Sequence, residues 1–148
     1  MHVQEQIKKY IAIQPEAKRQ DMQTLHMLIL QMLPECKLWF DDGKNNENKT
    51  VSNPTIGYGL HIMKYANGKT KDFFQIGMSE NKIGISIYIL GIKDKTYLTQ
   101  TYGKALGKAS ITGYCIKFNN LKDININILE AAIRYGFEVT GEAQLGYK

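Results

Sequence analysis

The chain has little cysteine and less scope for arginine chemistry. Its two cysteines, Cys36 and Cys115, stand far apart and form no C-x-x-C pair. That excludes a disulfide scaffold and a zinc knuckle, and it fits a reducing cytoplasm. Arginine occurs only as Arg19 and Arg134, and the other basic residues are lysines. Lysine is a hydrated point charge, without the bidentate fork that reads guanine or clamps phosphate. The net charge of +5 is also scattered, with Lys8-Lys9 and Lys18-Arg19 the only adjacent basic pairs. A nucleic-acid binder concentrates such charge in a stripe, so no nucleic-acid partner is expected. The lysines read either as a solvated surface or as part of an anion site. No stretch approaches the roughly 20 apolar residues of a membrane span. The first residues, Met1 to Gln6, carry no apolar core of a signal peptide. A cytoplasmic protein with no membrane partner is expected.

What is present suits one globular domain over residues 1–148, with 43% hydrophobic and 22% charged residues. Residues 3–12 read as a short helix. A second follows Pro15, with Met22, Leu25, Ile29 and Met32 at helical spacing, and Pro34 ends it. Strands are expected at 36–40, 55–66, 71–79, 83–90 and 113–118. Asn67-Gly68 signals a type I′ hairpin between the second and third. Asp94 caps a helix that stops at Gly107, and Asn125 caps one that ends near Gly136. The polar stretch Asp41–Lys49 reads as an exposed loop. Consecutive strands with tight turns pair antiparallel. The expected fold is α+β: a two-layer sandwich with an antiparallel sheet of five to six strands and helices on one face.

Such a fold leaves one sheet face uncovered, and side-chain parity then becomes informative. The apolar parity holds Cys36, Leu38 and Phe40; Ile56, Tyr58, Leu60 and Ile62; Phe74, Ile76 and Met78; Ile83, Ile85, Ile87 and Ile89; and Tyr114, Ile116 and Phe118. These are assigned to the helices. The opposite parity carries Lys37, Trp39, Asp41, Gly57, Gly59, His61, Met63, Phe73, Gln75, Gly77, Gly84, Ser86, Tyr88, Cys115 and Lys117. Glycine is depleted in strands, and four of them on one face let something approach the backbone. Aromatic rings and two lysines around that floor resemble a small-molecule site. The same pattern also describes sheet bulges or an interface between copies.

Other motifs carry less. Gly103-Lys104-Ala105-Leu106-Gly107-Lys108-Ala109 has three residues between its glycines and Ala after its lysine, so it is no phosphate loop. His2, His26 and His61 show no metal-ligand spacing, and Asp41-Asp42 reads as a turn cap. No metal ligand and no cofactor is assigned. His61 titrates near neutrality and is the one acid-base candidate, and Cys115 on the same face is the nucleophile an enzyme reading would pair with it.

Tyr10-Ile11-x-x-Gln14-Pro15-x-x-Lys18-Arg19, Leu33-Pro34, Asn53-Pro54-x-Ile56-Gly57-Tyr58-Gly59, Gly84–Gly91 and Gly113–Phe118 together resemble the YdhG-like family of small, mostly uncharacterised bacterial domains. The resemblance spans residues 5–137. It implies a frataxin-like fold, and it implies intracellular iron handling as one function.

The leading expectation is a non-enzymatic protein that binds a small anionic or aromatic ligand on the open face, through Lys37, Trp39, Gly57, Gly59, His61, Tyr88 and Lys117. The alternatives are the frataxin-like iron-handling protein and an enzyme using His61 and Cys115. A weak homodimer through the same face is expected, with a monomer as the close alternative.

Overall fold

The computed structural model describes residues 2–145, with side chains through Thr140. Helices α1 (Val3–Ala12) and α2 (Glu16–Met32) come first. Strands β1 (Leu38–Asp41), β2 (Thr55–Tyr58), β3 (His61–Lys64), β4 (Thr70–Phe73), β5 (Ile76–Glu80) and β6 (Ile85–Ile89) follow. Helix α3 (Tyr97–Leu106), strands β7 (Ser110–Thr112) and β8 (Cys115–Phe118), and helix α4 (Ile126–Leu145) complete the order. Six strands form one antiparallel sheet in the order β1-β2-β5-β6-β8-β7, and β3-β4 form a separate ribbon. The expected α+β sandwich is the architecture found.

Burial confirms most of the parity. Ile56, Tyr58, Ile76, Met78, Ile85, Ile87, Ile89 and Ile116 are fully enclosed with Ile7, Met22, Leu25, Ile29, Leu98, Leu106, Leu129 and Ile133 from the four helices. Alternate strand residues thus supply one wall of the core and the apolar helix stripes the other.

Several expectations need correction. The strands expected at 55–66 and 71–79 are each broken, the first at Gly59 and the second at Phe74-Gln75. Gly59 sits at φ +85, a conformation that L side chains rarely adopt, and the hairpin bends there. Leu60 is only half-buried and Ile62 is exposed, because both lie beyond the bend. The hairpin tip is also of another kind. The Gly68 amide donates to Tyr65, only Gly68 has positive φ, and Asn67 Oδ1 accepts from the Lys69 amide. That is a type I turn with a glycine bulge instead of type I′.

Ile83 is the tip of the Asn81–Gly84 turn and stands 71% exposed, so it joins no core. Tyr114 lies in the β7–β8 turn and is 54% exposed. Strand β7 was not foreseen, because Ser110-Ile111-Thr112 is too short to show a period. Asp94 holds a turn instead of capping α3 directly, accepting from the Thr96 amide and hydroxyl. Helix α4 runs on through Gly136. There a Cβ would lie 2.5 Å from Ile89 Cγ2, so this glycine marks close helix-sheet contact and not a stop.

Candidate functional site: the open sheet face

Strand register builds one row across the uncovered face. Trp39 pairs with Gly57, Gly57 with Gly77, Gly77 with Tyr88, and Tyr88 with Cys115. Lys117 lies one step along, opposite Ser86. Lys37 flanks the other end, its Nζ 4.1 Å from the Trp39 ring centroid, a cation-π contact. The Trp39 indole N–H donates to the Gly59 carbonyl at 2.7 Å, which fixes the ring beside the hairpin bend. Lys37, Trp39, Gly57, Tyr88 and Lys117 therefore share this face, as the parity predicts.

Gly59 and His61 do not. A Cβ on Gly59 would meet the Gln75 amide and the Phe137 ring, both on the helix side. His61 lies against Gly91, whose hypothetical Cβ also meets Thr140 of α4. The bend at Gly59 reverses the parity of everything after it. His61 thus sits at the corner with Gly91 and Thr140, Cys115 sits in the Tyr88 row, and no hydrogen bond joins the two among the described residues. The Cys115 thiol is held above its ordinary value by burial, against smaller opposing effects of Lys117 and Ser86. It stays protonated at neutral pH and is a poor nucleophile.

The second break inverts parity again. Gln75, expected on the open face, is buried and bonded to α4, while Phe74, expected in the core, lies on the open face. The Phe74 ring rests directly over Gly57 and Gly77: a Cβ on either would come within 2.5 and 2.8 Å of it. The glycine floor is thus filled by the protein's own ring. The depression expected from the glycines is a platform, in which Phe73 packs on Phe74 at 4.3 Å and Tyr88 faces Tyr114 at 6.4 Å. Phe74 is the open-face residue that the parity misplaces. Its signal was the run Phe73-Phe74-Gln75, which places a polar amide in an apolar register.

Polar groups close the far end. Ser79 donates to the Pro54 carbonyl at 2.7 Å, and the Asn81 amide donates to Ser86 Oγ at 2.8 Å. Lys117 also borders a cavity of about 350 Å³ with Lys108, Ser110 and Asn119. Among the described residues no group of three or more His, Cys, Asp or Glu side chains is placed to hold a metal ion. No helix of the described residues is long and apolar enough to cross a membrane.

The two inner histidines make the fold sensitive to acid. Burial lowers the pKa of both His26 and His61 below the ordinary 6.5. The unfolded chain then takes up protons at a pH where the folded chain does not, so stability falls as pH drops below about 6.5 and is level above it. The urea midpoint is expected to fall between pH 7 and pH 5, and to fall less in a His26→Gln, His61→Gln double variant. A midpoint that rises over that interval contradicts the assignment.

Comparison of this chain with family models, curated proteins and solved structures yielded no match, and the resemblance to the YdhG-like family rests on the residues alone.

Proposed function

We propose that this protein is a non-enzymatic binding domain whose open sheet face takes a flat, elongated aromatic anion. One observation carries the reading: Trp39, Phe74 and Tyr88 lie in one cross-strand row, with Lys37 at one end and Lys117 at the other. Trp39 and Tyr88 are three strand spacings apart, about 14 Å. A single small ring cannot reach both, and the interval is floored by the Phe73-Phe74 pair, of which Phe74 is buried over the glycines. A ligand with rings along this row and an acidic group at each end matches it. Stacking on such rings contributes about 0.5–1.5 kcal/mol per contact beyond buried area.

Trp39 is the only tryptophan, so its indole N–H gives a single assignable resonance. Stilbene-4,4′-disulfonate, long enough to span the row, should shift that resonance and the Tyr88 ring signals saturably. It should bind more tightly than naphthalene-2-sulfonate. Lys117→Ala should weaken it about fivefold, the upper end for an exposed charge contact. Unmoved Trp39 and Tyr88 signals at millimolar stilbene disulfonate would remove the proposal. The rival occupant is a second copy of the chain, favoured by the exposed Tyr114 beside Tyr88. In that case sedimentation should show a dimer that the disulfonate dissociates. The iron-handling function implied by the YdhG-like resemblance gains no ligand set from this face.

A further inference from the structure

Away from the open face, the first two helices enclose a second feature. Gln4, Ile7, Lys8 and Ile11 lie on one side of α1 at helical spacing, and Gln23 and His26 face them from α2. Together they line a groove of about 270 Å³. Ile7 and Ile11 are buried and form its apolar wall, whereas Gln4, Lys8 and Gln23 are exposed along its rim. No acidic side chain lines it. Lys8 has no ion-pair partner among the described residues.

His26 is set by a residue beneath it. The Tyr58 hydroxyl, at the floor of the core and 0% exposed, lies 2.7 Å from His26 Nδ1. Burial holds the Tyr58 phenol well above its ordinary value, so it keeps its proton. The buried hydroxyl has no other acceptor among the described residues, so its O–H is satisfied only by donating to Nδ1, which is then the unprotonated nitrogen. A neutral imidazole then carries its one hydrogen on Nε2. Nε2 makes no hydrogen bond among the described residues and is not sealed from solvent. With Nδ1 turned to the core, Nε2–H is the nitrogen presented to the groove.

The groove thus offers donors: the His26 Nε2–H, the Lys8 ammonium and the two glutamine amides, beside an apolar wall. We propose that it is a binding site for a small carboxylate with a short aliphatic tail. The carboxylate accepts from His26 and Lys8, and the tail lies on Ile7 and Ile11. Phosphate has no tail to use the isoleucine wall, and a neutral alcohol leaves the Lys8 charge unanswered.

The histidine side chains give the test, because the protein has three, His2, His26 and His61. Nitrogen-15 imidazole spectra at pH 7.5 should show His26 as the Nε2–H tautomer, and Tyr58→Phe should abolish that preference. Titration with butyrate should move the His26 signals saturably and leave His61 in place. Butyrate should bind more tightly than acetate or inorganic phosphate, and Lys8→Ala should weaken it about fivefold. Trp39 should not respond, which separates this site from the open face. An Nδ1–H tautomer overturns the proposal. So do His26 signals unmoved by millimolar butyrate, or phosphate binding equal to butyrate.

Discussion

Phe74→Ala should destabilise the protein by about 3 kcal/mol, the low end for removing a packed phenylalanine, since one ring edge meets solvent. The ring fills the space over Gly57 and Gly77, and neither glycine has a side chain to fill the gap. The variant should therefore expose the cleft that the glycines imply and bind a small aromatic such as benzyl alcohol. Binding to the folded state alone raises the urea midpoint. Gly57→Ala supplies the reciprocal result. In the wild type its new methyl would stand 2.5 Å from the Phe74 ring, so it should cost roughly 1–3 kcal/mol. In the Phe74→Ala background that cost should largely vanish, and the difference is the coupling between the two sites. Additive effects would mean that Phe74 does not rest on the glycine floor.

Gln75→Leu should cost about as much, roughly 3 kcal/mol, through a different mechanism. The Gln75 amide ties the hairpin bend to α4. Its Oε1 accepts from the Leu60 amide at 3.2 Å, and its Nε2 donates to the Phe137 carbonyl and the Thr140 hydroxyl. Leucine fills the volume but removes the Oε1 acceptor at the hairpin bend and the Nε2 donor that reaches α4. The loss should be local first. Amide exchange should quicken across β3 and β4 before it does in the six-stranded sheet, because an isolated two-stranded ribbon is marginal. Uniform loss of protection would show that the ribbon does not depend on this residue.

The sequence was legible wherever a period ran uninterrupted. Ile85, Ile87 and Ile89 alternate without a break, and the helix with Met22, Leu25 and Ile29 keeps its stripe, so both faces were assigned correctly. Legibility ended at Gly59 and at Phe74-Gln75. A one-residue irregularity reverses every later side chain, and alternation alone carries no mark of where it falls. That is why Lys37, Trp39, Gly57, Tyr88 and Lys117 share the face expected of them while Gly59 and His61, expected beside them, do not. The α1–α2 groove was hidden for another reason. His26 and Tyr58 are 32 positions apart, and no local spacing announces a contact made only by folding.

The bend also orders events during synthesis. Gln75 and Thr140 are separated by 65 residues, about 3–13 s of translation. Throughout that interval the outer half of the hairpin is made and α4 is not, so the ribbon has nothing to dock against. Its exposed Lys64, Lys69 and Lys71 outweigh the exposed Asp72, and the net positive charge opposes edge-to-edge pairing with other nascent chains. Lysines that read as ordinary solvated surface in the finished fold are thus placed to oppose association while the chain is incomplete.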